Sequence, residues 1–194
     1  MYLSIDIETT GLDPSCDQIL QLAAVCPLGG YNVFVSHGRY SGNAFALSLN
    51  SWILEILSKG KDYRIVPADY LYDHFVGWLK EVKLDCHRIF ALGKNFGAFD
   101  RQFLNALDPR FDKLFHYRSL DVGSLYADPL GIMSLKEIIE ADPERYMHLD
   151  PHHAEHDATI AYLAAAVKMN LKPPMMAWYP VEPPSITPMD GHNA

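Results

Sequence analysis

The stretch HHAEHDATIAYLAAAVKMN, residues 152–170, packs three histidines, a glutamate and an aspartate into its first seven positions. From residue 154 onward the apolar spacing predicts a helix, the most regular in the chain. Asp157 falls early in that helix, in line with Ile160, Ala161 and Ala164. Small alanines let this face pack closely on a neighbour, so Asp157 heads a packed face. A carboxylate in such a place is costly unless it is paired, ligates a cation or is stabilised by the helix dipole.

The same situation occurs earlier. In GKNFGAFDRQFL (93–104) a helix over roughly 97–107 puts Asp100 on one face with Phe103, Leu104 and Leu107. Helix-dipole stabilisation in the first turn and metal ligation both account for an acid there. A third pair of acids stands at the start of the chain. YLSIDIE (2–8) alternates as a strand does, with Leu3, Ile5 and Ile7 on one side and Ser4, Asp6 and Glu8 on the other. Two carboxylates two apart on a strand share a face and repel unless a cation or proton separates them. Oxygen ligands on a rigid strand suit Mg²⁺ or Mn²⁺. Alone, the pair could equally be incidental on a solvent-facing edge strand. With Asp100 and Asp157 there are four acids, the ligand set of a two-metal site. Two cations roughly 3.5–4 Å apart activate a water and stabilise the leaving oxygen of a phosphodiester.

The elements between these acids define the fold class. ILQLAAVCPL (19–28) and YNVFVS (31–36) predict two further strands around a Gly-Gly turn, giving an antiparallel meander with the first. AFALSLNSWILEILSKG (44–60) and PADYLYDHFVGWLKEV (67–82) predict helices. RIFALG (88–93) predicts a short buried strand, and HYRSLDVGSLY (116–126) a strand running into a helical turn. SLKEIIEA (134–141) predicts a helix with Ser134 and Glu137 in capping-box spacing. Strands first, then strands alternating with helices, indicate an α/β domain with one mixed sheet of five strands and helices on its faces.

The chain has 194 residues, enough for one domain with a full core. Residues 1–171 form that domain. Six of the 13 prolines fall within 173–188, so 172–194 reads as an irregular, loosely packed tail. Its apolar cluster MMAWYP (175–180) could alternatively dock on the body or on a partner. Cys16, Cys26 and Cys86 are scattered, as free thiols in a reducing compartment are. The start carries acids where a signal peptide has a basic region, and no apolar run is long enough to cross a membrane. These features point to a soluble, cytoplasmic protein. A net charge of −8 shows no basic face for gripping long duplex and favours short or single strands.

DIETTGL (6–12), NFGAFD (95–100) and HHAEHDA (152–158) together resemble the three motifs of the DEDDh, or DnaQ-like, 3′→5′ exonucleases. That family includes proofreading exonuclease subunits, oligoribonucleases and RNase T. The third motif, H-x-A-x-x-D-A, fits 152–158 position by position, and the resemblance spans residues 2 to about 168. It implies an RNase H-like fold and hydrolysis of phosphodiester bonds at the 3′ end of single-stranded or short nucleic acid. It implies two Mg²⁺ or Mn²⁺ ions on Asp6, Glu8, Asp100 and Asp157. It selects His152, five positions before the last aspartate, as the base that deprotonates the attacking water. A related branch has tyrosine four positions before the aspartate, where this chain has His153. By the same resemblance Thr9, Leu12, Asn95 and Phe99 contact the 3′-terminal nucleotide, although Leu12 and Phe99 could also be core. His153 and His156 are expected to be bystanders, and Asp121 a helix cap in preference to a carboxylate supporting the site.

A rival pattern overlaps the third motif. His152, Glu155 and His156 spell H-x-x-E-H, the inverzincin zinc-peptidase motif. It needs a further ligand downstream, where only Glu182 and Asp190 remain as acids, and it leaves Asp6, Glu8 and Asp100 without a role. A second alternative is a nuclease fold used as a binding module or polymerase accessory, with the tail as its contact. A filled set of catalytic positions argues against it. Homodimerisation, a polymerase partner and the choice of RNA or DNA are left open by the sequence.

Overall fold

A computed structural model of the chain describes residues 1–174, except 63, 85–86, 128–130, 132 and 147. Cys86 and the tail from residue 175, including MMAWYP, lie outside the described residues. Cys16 is exposed and Cys26 buried, and both are free.

Six strands form one mixed sheet: β1 (Tyr2–Thr9), β2 (Ile19–Cys26), β3 (Gly29–Ser36), β4 (Ile65–Pro67), β5 (Phe90–Gly93) and β6 (Leu120–Asp121). Their order across the sheet is β4-β3-β2-β1-β5-β6. β1, β2 and β3 are the expected antiparallel meander, while β4, β5 and β6 each pair in parallel. The expected sheet had five strands. The sixth, β4, is a three-residue edge strand containing Pro67, too short to show an alternation. The hairpin between β2 and β3 turns at Pro27-Leu28, and Gly29 and Gly30 belong to β3.

The helices are α1 (Ala44–Leu49), α2 (Ser51–Lys59), α3 (Leu71–Glu81), α4 (Asp100–Leu107), α5 (Val122–Leu125), α6 (Leu135–Ala141), α7 (Pro143–Tyr146) and α8 (Ala154–Met169). The helix expected over 44–60 is broken at Asn50, whose side chain reaches across to the Thr9 carbonyl at 3.0 Å. α6 begins with the Ser134–Glu137 capping box.

The sheet separates two cores. Leu3, Ile5 and Ile7 of β1 meet Leu71, Phe75 and Trp78 of α3 and Phe103 and Leu104 of α4. On the other face Ala23, Val25 and Leu92 meet α8 through Ala158, Ile160, Ala161, Ala164 and Ala165. Each large aliphatic side chain so buried contributes about 1.5–3 kcal/mol. The alanines of α8 have another value: they bring its backbone close to β1 and β2. β5 approaches β1 as closely at Gly93, where a Cβ would stand 2.7 Å from the Ile5 carbonyl oxygen. β1 is therefore fixed from both faces and from both neighbours in the sheet, and it carries the acids.

Candidate active site

Asp6 and Glu8 leave β1 on its α8 face, beside a register shift between Glu8 and Thr9 in the pairing with β2. Such bulges re-aim side chains at the ends of strands. Asp157 arrives from the first turn of α8. One ligand oxygen from each of Asp6, Glu8 and Asp157 lies within 4.8 Å of the others. Asp100, the first residue of α4 and 2 % exposed, accepts the Ile7 backbone N–H at 3.1 Å through Oδ1. That bond fixes it to β1 between the two acids of the strand.

The electrostatics follow from this crowding. Burial, then the charges of Asp100, Asp157 and Glu8, hold the Asp6 carboxyl well above the usual range. Burial, with Asp157 second, pushes Glu8 up to about 7. Burial pushes Asp100 to about 7 against the hydrogen bonds from its own and the Ile7 backbone. Burial raises Asp157 to about 6, opposed by the His152 N–H. Four carboxylates thus lose water together. The Asp157 Oδ1 is buried with no hydrogen-bond partner among the described residues. An unpaired buried oxygen and an all-carboxylate donor set fit a hard divalent cation.

Beside the acids lies a cavity of about 700 Å³, lined by Glu8, Thr9, Leu12 and Phe99 among others. Thr9, Leu12 and Phe99 are thus brought together at one opening; Leu12 is 82 % exposed. Thr9 Oγ1 donates to the Gly11 carbonyl at 2.6 Å and shapes the turn after β1. Asn95 is not part of this lining. It is exposed, adopts φ 62°, and heads the turn into α4 by accepting from Ala98 and Phe99. Asp121 holds that turn: its Oδ2 accepts the Asn95 N–H at 2.8 Å, and its Oδ1 caps α5 at Ser124. The helix-cap role is the observed one.

His152 is exposed, in the loop entering α8, with φ 67° in the left-handed region. Its backbone N–H donates to Asp157 Oδ2 at 3.3 Å. His153 stacks on Trp52, ring centroids 4.0 Å apart, and His156 Nδ1 accepts the Asp150 N–H at 2.9 Å. Glu155 turns towards β3, where Asn32 Nδ2 donates to it, and burial raises its carboxyl. His152, Glu155 and His156 are absent from the ligand cluster found among the described residues, so the zinc-peptidase pattern has no geometric counterpart.

The family described as RNase_T: Exonuclease matches residues 3–165. The chain belongs to this exonuclease family. The exonuclease is similar to the oligoribonuclease of Dichelobacter nodosus, 25% identical over 162 residues that cover 77% of this chain and 81% of that one. It is 30% identical over 138 residues to the oligoribonuclease of Colwellia psychrerythraea, covering 62% of this chain and 70% of that one. Among solved structures, E. coli Exonuclease I in complex with a dA16 oligonucleotide superposes with a TM-score of 0.62 at 16% identity over 87% of this chain. The zinc-bound form of the E. coli ExoI–ssDNA complex superposes with a TM-score of 0.63. The exonuclease spans about two fifths of the length of those structures, and the likeness is one of fold. No helix among the described residues is long and apolar enough to cross a membrane.

Sequence reading missed three contributors. Asn50 ties α1 and α2 to Thr9. Trp52 supports the loop that carries His152 by stacking on His153. Gln21 Oε1 accepts the Ala154 N–H at 3.2 Å at the start of α8. Each acts across the fold, so no local spacing announces it.

Proposed function

We propose that the chain is a cation-dependent 3′→5′ exonuclease that releases nucleoside 5′-monophosphates from the 3′ ends of single-stranded or short oligonucleotides. The observation that carries this reading is the convergence of Asp6, Glu8 and Asp157 beside an open cavity, with Asp100 bonded between the first two. When bound, two divalent cations, Mg²⁺ or Mn²⁺, supply Lewis acidity at the scissile phosphate and offset the charge of the acids. Asp6, Glu8, Asp100 and Asp157 would hold them. His152 takes a proton from the attacking water as the general base. The water oxygen bonds to phosphorus, the bond to the 3′ oxygen of the preceding nucleotide breaks, and that oxygen takes up a proton from solvent to become the new 3′-hydroxyl. Thr9, Leu12 and Phe99 seat the terminal nucleotide, and Asn95 positions the turn that carries Phe99.

The acidic composition supports short or single-stranded substrates, because few phosphates then need neutralising at once. The fold of an oligonucleotide-bound neighbour and the oligoribonuclease relatives support the same class. We place the enzyme in the cytoplasm on its free thiols. The test is product identity. A 3′-labelled RNA or DNA oligonucleotide should yield labelled nucleoside 5′-monophosphate as the first product. Label appearing first in longer fragments would replace the exonuclease with an endonuclease.

A further inference from the structure

Helix α8 starts beside the acids, yet its own sequence supplies no side-chain cap. The N-cap residue is His153, and its side chain makes no capping hydrogen bond. Its ring stacks on Trp52 instead. The first intrahelical bond runs from the Asp157 N–H to the His153 carbonyl at 2.9 Å. The N–H groups ahead of it need partners from outside the helix. Ala154, the first helical residue, is fully buried. A buried N–H left unpaired costs about as much as a lost hydrogen bond.

The sheet supplies the partner. Gln21 stands opposite Glu8 in the register of β1 and β2 and is 1 % exposed. Its Oε1 accepts the Ala154 N–H at 3.2 Å. Its Nε2 donates to Asn32 Oδ1 at 2.9 Å, and Asn32 Nδ2 donates to the half-buried Glu155. The ends of this chain of bonds fix its direction. A backbone N–H only donates and a carboxylate only accepts, so each amide between them has one orientation. The first two residues of α8 are thus held by β2 and β3, from the backbone of one and the side chain of the other.

Asp157 follows three residues later in the same turn, and the His152 N–H donates to its Oδ2 at 3.3 Å. A shift of this turn therefore moves Asp157 and His152 together. The alanines of α8 bring it close to the sheet, but their methyl groups are short. Directional bonds from the sheet fix where the turn stops.

We infer that Gln21 is a positioning residue for the reaction: backed by Asn32 and Glu155, it sets the first turn of α8 and so the Asp157 carboxylate against Asp6 and Glu8. The inference rests on the exonuclease reading above and adds residues that the fixed positions of the three motifs do not include. Groups that orient a metal ligand cost roughly 10–100-fold in metal affinity or activity when they are removed.

The experiment pairs cation binding with cleavage. Gln21→Met keeps length and bulk and removes both hydrogen bonds. Glu155→Gln keeps an acceptor for Asn32 and removes the charge; Glu155→Ala removes the acceptor. Electron paramagnetic resonance would measure Mn²⁺ binding to each protein without nucleic acid, and steady-state kinetics would follow a short single-stranded oligonucleotide. Gln21→Met should weaken Mn²⁺ binding and lower kcat, each by roughly 10–100-fold. KM for the oligonucleotide should stay near wild type, because Thr9, Leu12 and Phe99 are untouched. Glu155→Ala should change the same quantities in the same direction, and Glu155→Gln should restore most of the loss. Wild-type Mn²⁺ affinity and kcat in a folded Gln21→Met protein would overturn the proposal, because a bond needed only for folding lowers Tm alone. Equal losses in Glu155→Gln and Glu155→Ala would also overturn it, by assigning the effect to charge. Should Gln21→Met fail to fold, the Glu155 pair, at the less buried end of the bonds, decides the matter. A wild type that binds Mn²⁺ but cleaves nothing would remove the exonuclease reading, and the Mn²⁺ affinities of the variants would still judge the positioning.

Discussion

Replacing Glu8 by glutamine should make the cation-free protein more stable at pH 8 while abolishing its activity. Glu8 is 9 % exposed, and its carboxyl is raised from 4.5 to about 7 by burial and then by Asp157. The folded-state value lies above the unfolded one, so folding binds a proton and the charged form is the penalised one. Below pH 4.5 both states are protonated and the penalty is absent. It grows between pH 4.5 and 7 and is complete above that. A shift of about 2.5 units at 1.36 kcal/mol per unit amounts to roughly 3 kcal/mol at pH 8 and about 1 kcal/mol at pH 5. Glutamine has nearly the same shape and no charge, so it removes the term. For a domain of this size, ~3 kcal/mol corresponds to a rise in Tm of roughly 6–12 °C. The assay is thermal unfolding of wild type and Glu8→Gln in EDTA at pH 5 and pH 8. Added Mn²⁺ should stabilise the wild type most at pH 8 and the variant little at either pH. A variant no more stable than the wild type at pH 8 in EDTA would refute the claim that these acids are held together at a cost that a cation relieves.

Other perturbations probe the parts around the acids. His152→Ala should lower kcat by about 10²–10⁴, the usual contribution of a general base, while the protein stays folded and still binds oligonucleotide; an unchanged kcat would take His152 out of the mechanism. Asp121→Ala should cost about 0.5–2 kcal/mol, as the loss of an N-cap does, and should also raise KM by freeing the Asn95 turn; chemical denaturation and kinetics on the same sample separate the two effects. Gly42→Ala should destabilise by about 1–3 kcal/mol through overpacking, because its Cβ would stand 2.2 Å from the Thr10 carbonyl oxygen. It should also weaken oligonucleotide binding by displacing α1, whose Leu49 lines the cavity; a variant with wild-type affinity would mean that α1 does not form the wall of the cavity.

Much of the scaffold was legible because it follows local periodicity. β1 alternates, α8 repeats its alanines, and Ser134–Glu137 spells a capping box. Asp100 and Asp157 stand out in the sequence because each shares a helix face with apolar residues, Phe103 and Leu104 or Ile160 and Ala161, whereas Asp6 and Glu8 stand out only as two carboxylates on one face of a strand. What escaped was long-range or too short to carry a period. β4 is three residues at an edge. The break between α1 and α2 arises from a bond between Asn50 and Thr9, 41 positions apart. The stacking of His153 on Trp52 joins residues about a hundred positions apart.

The most direct measurement is a cleavage ladder. A 5′-labelled single-stranded oligonucleotide would be incubated with wild type and Asp6→Ala in Mn²⁺, Mg²⁺ or EDTA. The account predicts stepwise shortening from the 3′ end with either cation, none in EDTA, and none with the variant. Shortening that persists in EDTA, or in a folded Asp6→Ala protein, would contradict a cation-dependent reaction at the four carboxylates.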